Sequence, residues 1–255
     1  GLVGASIATF GTSEQRRRWL RPLAQGRIYG AAAVTEPRSG TDVAGMHTTY
    51  RKDGTDFVLT GSKAWISNLD IASFFVTFAT SDRSHRHKGV TAFIVPRGAP
   101  GLILNPVKDK LGFRPLSTGE VVFDEMRLPR EALLGEEGRG FEVAMTAVER
   151  GRLGVAARAV GVTQACLEDT VAFARERESF GRSIAEFQQV QSKVTEMSVG
   201  ALTSRLLVRR CAEDLQAGRR ARQLTSMAKM YASDVAMRSA TDAVQVHGAA
   251  GVSPD

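Results

Sequence analysis

Gly135-Glu136-Glu137-Gly138-Arg139-Gly140 divides the chain into two textures. Upstream, from Tyr29 to about Leu134, short β-branched or aromatic runs recur: Phe57-Val58-Leu59, Phe74-Phe75-Val76-Thr77-Phe78, Ala92-Phe93-Ile94-Val95 and Glu120-Val121-Val122-Phe123. Gly54, Gly61, Gly89, Pro96-Arg97-Gly98 and Pro100-Gly101 separate them, a pattern that predicts an all-β domain. Downstream the chain is rich in Ala, Leu and Arg with no proline until Pro254, which predicts long helices over 141–176, 185–217 and 221–247. Ser179-Phe180-Gly181 and Gly218 interrupt them. Helices this long bury their apolar stripes only against one another, so they form a bundle.

The predicted fold class is therefore α+β, a central all-β, barrel-like domain followed by an antiparallel helical bundle. The domains are 1–28, a helical remnant; 29–135, the β domain; and 136–255, the bundle. Ahead of the β domain, Thr12 and Gln15 fit a capping box, and Arg16 to Gln25 carries Trp19, Leu20 and Leu23 at helical spacing before Gly26. One short helix covers an apolar sheet face poorly, and three long helices leave an antiparallel bundle one short. The expectation is that helices on both sides of this segment are missing.

With 255 residues, 43% hydrophobic and 24% charged, the chain is long enough to bury a full core. No run of about 18 uncharged apolar residues occurs, and no basic leader precedes an apolar stretch, so the expectation is a cytoplasmic protein without membrane contact. Cys166 and Cys211 both fall in helical patterns, which argues against a disulfide framework, and no Cys/His spacing fits a metal. A net charge of +7 permits acidic partners without selecting one.

Val34-Thr35-Glu36-Pro37-Arg38-Ser39-Gly40-Thr41-Asp42-Val43-Ala44-Gly45 resembles the first signature of the acyl-CoA dehydrogenases, and Lys63-Ala64-Trp65-Ile66-Ser67-Asn68 resembles their second. Asp109-Lys110-Leu111-Gly112, Arg127-Leu128-Pro129, Gly138-Arg139-Gly140-Phe141, Arg177-Glu178-Ser179-Phe180-Gly181 and Gln245-Val246-His247-Gly248 follow in the family's order, so the resemblance covers essentially the whole chain. It implies FAD as cofactor and an acyl-CoA thioester as substrate.

An isoalloxazine ring has a polar edge and two apolar faces, so it needs hydroxyl and backbone donors beside a flat side chain. Thr35, Trp65 and Ser67 supply those types. Taken singly, Thr35 would begin a turn and Trp65 would be β-domain core. By resemblance, Thr35 and its neighbour Val34 meet the pyrimidine edge, Trp65 and Ile66 lie beside the ring, and Ser67 reaches the hydride-accepting nitrogen. Gly40 and Thr41 sit near the pyrophosphate, where a glycine permits close backbone approach. Thr41 is also assigned to the substrate.

Arg177, at a predicted helix end, suits either the last carbonyls or a phosphate, and the resemblance favours phosphate. In relatives the segment holding Arg177, Ser179, Phe180 and Gln188 reaches the FAD of a neighbouring subunit, as does the Gln245 to Gly248 stretch, and Ala249 beside it is also assigned to the cofactor. A homodimer or homotetramer is thereby implied. Ala249 stands where the family usually has glycine, and its Cβ would cost about 1 kcal/mol on a left-handed backbone. Phe187 stands where histidine is frequent.

Arg152 matches a family arginine near the thioester and coenzyme A, with Glu149 as a further contact. The alternative is a surface arginine paired with a carboxylate.

Oxidation at the β carbon requires a base for the α proton, and a carboxylate in a dry pocket serves because desolvation raises its pKa. In a minority of relatives it immediately precedes the arginine matching Arg152, where this chain has Gly151. Glu149 lies two residues away, roughly 200° around a helix. The base is accordingly expected C-terminal to Asp255, with no catalytic residue in the chain itself. Electron-transfer flavoprotein is the implied oxidant. The competing readings are an oxidase or monooxygenase of the same fold, and a DNA-associated flavoprotein whose arginines at 16–18, 209–210, 219, 220 and 222 meet phosphates. Such clusters are ordinarily solvated helix faces, which ranks nucleic acid last.

Overall fold

The computed structural model describes residues 1–253; Pro254 and Asp255, the end of the predicted bundle segment, lie outside the described residues. Two compact units are present, 1–148 and 149–255.

In the first unit, α1 (Leu2–Phe10) precedes a composite helix. The predicted capping box is formed: Thr12 Oγ1 accepts from Gln15 N–H, and Gln15 Oε1 accepts from Thr12 N–H. From it run α2 (Ser13–Gln15), a π-turn (Arg16–Leu20) and α3 (Arg21–Ala24). Two helical segments thus replace the single one expected. Gly4 and the small residues Ala5, Ser6 and Ala8 blur the period of α1 in the sequence.

Seven strands follow: β1 (Tyr29–Ala33), β2 (Thr49–Asp53), β3 (Asp56–Ser67), β4 (Ala72–Thr80), β5 (Val90–Pro96), β6 (Leu102–Pro106) and β7 (Thr118–Leu128). They form one mixed sheet in the order β1-β4-β2-β3-β7-β6, with β5 also on β4. Strand β1 runs parallel to β4, whereas β3 and β7 are antiparallel.

The period of two in β4 explains how one sheet bears two cores. Phe75 and Ala79 join Phe57, Leu59, Phe93, Val121, Phe123 and Leu128 in the first. Phe74, Val76 and Phe78 point the other way, into a second core with Val3, Ile7, Val143 and Ala144, against which Trp19, Leu20 and Leu23 pack. The preceding helices and the start of α4 (Gly140–Glu176) therefore cover the outer apolar face. Each fully buried Phe stabilises by roughly 1.5–3 kcal/mol relative to exposure.

The Gly138-Arg139-Gly140 motif has a packing role here. Gly138, at φ +77°, donates its N–H to Thr91 Oγ1 at 2.9 Å. A Cβ on Gly140 would lie 2.5 Å from the Thr91 carbonyl carbon.

The second unit contains most of α4, the hairpin β8 (Glu178–Ser179) and β9 (Arg182–Ser183), α5 (Gln188–Gln216) and α6 (Arg222–His247). The three long helices begin and end within three residues of the predicted positions. Their shared core is small: Ala156, Ala159, Cys211, Ala228 and Ala232.

Candidate functional site

Three segments of the first unit meet around one buried carboxylate. Glu36 follows β1, and Lys63 lies within β3; their side chains are 2% and 0% exposed and form an ion pair of 2.7 Å. Glu36 Oε1 also accepts Thr48 N–H at 3.0 Å, and Oε2 accepts His47 N–H at 2.5 Å. One residue away, the Thr35 carbonyl accepts Ala64 N–H at 2.8 Å. Burial works to raise the Glu36 pKa, but the Lys63 charge and the donated hydrogen bonds outweigh it and hold the carboxyl below its usual range. Burial also pulls Lys63 down to about 8, against the attraction of Glu36.

Beyond Lys63 the β3–β7 register slips from Lys63↔Val121 to Ile66↔Gly119, three steps on β3 against two on β7. This β-bulge re-aims the end of the strand. Trp65 sits there with φ +61° and 64% exposure. A non-glycine residue in that region is strained by about 1–2 kcal/mol. Ile66 is buried at 2% and Ser67 exposed, so two exposed side chains, Trp65 and Ser67, flank one that points into the core. Trp65 is accordingly not core, and Ile66 has only its backbone to offer a ligand there.

Val34 and Thr35 are half-buried, while Gly40 and Thr41 are exposed. Nothing lies within 4 Å of where a Gly40 Cβ would be. The Gly40-Thr41 loop is held internally by Ser39 Oγ donating to Asp42 O and by paired backbone bonds between Glu36 and Ser39. Exposed indole, adjacent hydroxyl and open glycine loop fit, in that order, the face, edge and phosphate of a flavin nucleotide.

In the second unit, Arg177 is exposed and Ser179 half-buried in the hairpin. At its tip Phe180 is 95% exposed with φ +53°. Its ring meets Phe187 edge-on at 6.3 Å, and the Arg182 guanidinium covers Phe187 at 4.5 Å. Gln188 opens α5 and is exposed, as are Gln245, Gly248 and Ala249 at the end of α6. Gly248 has a positive φ of +60° with ψ −130°, a conformation open to glycine. Ala249 lies in the following 3-10 turn (Gly248–Val252) without a positive φ, so the anticipated Cβ penalty does not arise. His247 stacks on Phe173 with centroids 4.4 Å apart.

Arg152 and Glu149, three positions apart, lie on one side of α4. The partner of Arg152 is the Ser226 hydroxyl, which accepts from Nη1 at 3.2 Å; it forms no ion pair among the described residues, contrary to the alternative of a paired surface arginine. Glu36 is the one buried carboxylate among the described residues. No cluster of metal ligands occurs among them. No described helix is long and apolar enough to cross a membrane.

The sequence reading missed Glu36 and Lys63 as functional residues, although both lie in quoted motifs. The available signal was a lysine at an inward position of an alternating strand, which demands a buried counter-charge.

Residues 31–126 match the acyl-CoA dehydrogenase middle domain, and 138–255 the acyl-CoA dehydrogenase C-terminal domain. The chain is 40% identical over 245 residues to the mitochondrial short-chain specific acyl-CoA dehydrogenase of Rattus norvegicus, covering 96% of this chain and 60% of that protein. The butyryl-CoA dehydrogenase structure from Megasphaera elsdenii superposes with a TM-score of 0.96 at 39% identity, over 99% of this chain and 66% of that one. A chain from work on the electron transferring flavoprotein of Acidaminococcus fermentans gives 0.96 at 40% identity, over 98% and 66%. The chain thus spans about 60% of the length of the rat relative. Family models, fold and identity agree: the chain belongs to the acyl-CoA dehydrogenase family.

Proposed function

We propose that the chain is the cofactor- and thioester-binding part of an FAD-dependent enzyme that introduces an α,β double bond into a short acyl-CoA. The observation that carries this is the exposed Trp65-Ser67 pair on the bulged end of β3, tied by its backbone to Thr35. Bound FAD would supply the acceptor for the β hydride. Thr35 and Ser67 would offer hydrogen bonds along its edge, Trp65 would cover a face, and the Gly40-Thr41 loop would receive its phosphates. By resemblance, Arg177, Ser179, Phe180, Gln188, Gln245 and the 248–249 turn serve the FAD of a neighbouring subunit.

Arg152 and Glu149 orient the thioester and coenzyme A in this reading. The proton acceptor is neither Glu36, which Lys63 holds ionised, nor position 151, which is glycine. We place it C-terminal to Asp255. Electron-transfer flavoprotein is the proposed oxidant, supported by the solved relative described in connection with that protein.

The test is titration of the full chain with FAD and then butyryl-CoA, followed by flavin fluorescence and absorbance. The expected result is saturable binding of both with negligible reduction. Absence of FAD binding overturns the reading, and flavin reduction at rates typical of an intact enzyme overturns the placement of the base.

A further inference from the structure

Glu36 touches every segment of the proposed flavin edge. Its own residue follows Thr35, its carboxylate binds Lys63 two positions before Trp65, and the same carboxylate holds His47 and Thr48 N–H at the far end of the Gly40-Thr41 loop. The loop is closed at both ends by one side chain. Met46 Sδ, 4.0 Å from Lys63 Nζ, completes the enclosure.

Stability alone explains this poorly. Desolvating two charges offsets most of their attraction, and apolar residues of similar volume often do as well or better. A charged hydrogen bond does impose direction and length. Beside it, the Thr35–Ala64 backbone bond provides a second cross-link one residue on.

We propose that Glu36 and Lys63 are the positioning pair of the flavin edge, setting Thr35, the Gly40-Thr41 loop and Trp65 in register with one another. The inference rests on the flavin reading above, and its test separates the two. Neither residue touches the cofactor; both act through neighbours. Removing the pair leaves the sheet folded but lets the three segments drift.

The experiment uses the full chain in a Trp19→Phe background, which makes Trp65 the sole indole of the two tryptophans present. Glu36→Gln, Lys63→Met and the double variant are compared by melting temperature, iodide quenching of Trp65 without FAD, and FAD affinity well below the melt. The single variants are expected to melt lower, to change Trp65 quenching at least about twofold, and to bind FAD at least tenfold more weakly, which is about 1.4 kcal/mol. The double variant, free of any unpaired buried charge, is expected to recover melting temperature more than affinity or quenching. Should the single variants fail to fold, the double variant carries the test. Lower melting with wild-type quenching and affinity overturns the proposal, as does parallel recovery of all three. If the background chain binds no FAD, the flavin reading falls, and Trp65 quenching alone then decides the positioning role.

Discussion

The Lys63 ammonium lies 2.7 Å from the Glu36 carboxylate with neither group in contact with bulk water. Glu36 has a depressed folded-state pKa, so its contribution is present above the unfolded value near 4.3 and is lost as pH falls through the folded one. Lys63, lowered to about 8, gives up its proton in the folded state before the unfolded chain does near 10.4, so this group adds stability as pH rises between those values. In Lys63→Met the carboxyl keeps the His47 and Thr48 N–H donors but loses its counter-charge, so its pKa rises. The deficit against wild type is expected to reach about 3–5 kcal/mol at neutral pH and to shrink towards pH 4, as urea melts across pH would show.

Trp65 combines strain with exposure, so stability and ligand affinity should respond in opposite senses. Trp65→Gly is expected to leave the melting temperature unchanged or to raise stability by about 1 kcal/mol. FAD affinity should fall at least tenfold, about 1.4 kcal/mol. A variant that binds FAD as well as wild type would remove Trp65 from the site.

Gly140 meets the β5 backbone too closely for any side chain. Gly140→Ala is expected to destabilise the first unit by about 1–3 kcal/mol through overpacking. Calorimetry at saturating FAD should show a lower melting temperature with the ligand stoichiometry retained.

Arg152 is held by Ser226 rather than by a carboxylate. Arg152→Gln is expected to weaken butyryl-CoA binding about tenfold, near 1.4 kcal/mol, with FAD affinity unchanged. Ser226→Ala, which removes only the hydroxyl that accepts from the guanidinium and leaves the charge in place, should have a smaller effect in the same calorimetric titration.

The long helices were legible because Ala- and Leu-rich segments without proline leave no competing structure, and Gly218 marks a break that the backbone uses at φ +71°. The strands were legible where apolar runs were dense, as in Phe74 to Phe78. Strand β1, Tyr-Gly-Ala-Ala-Ala, and β2, Thr-Tyr-Arg-Lys-Asp, escaped because small or charged residues there owe their strand geometry to pairing with β4 and β3. The flavin signatures could be recognised as strings. Their coupling through Glu36 could not, because a hydrogen bond between positions 27 apart leaves no periodic trace. The bulge that exposes Trp65 was equally silent, since register is a property of two strands.

The separation between Glu36 and Lys63 also bears on synthesis. At roughly 5–20 residues per second, the glutamate emerges from the ribosome about one to five seconds before the lysine 27 positions later. A nascent chain halted in that interval holds its first signature beside water, with the carboxylate still hydrated. Vectorial translation thus brings Lys63 within reach of Glu36 before β4 and β7, the strands that pair with β1 and β3, have been made.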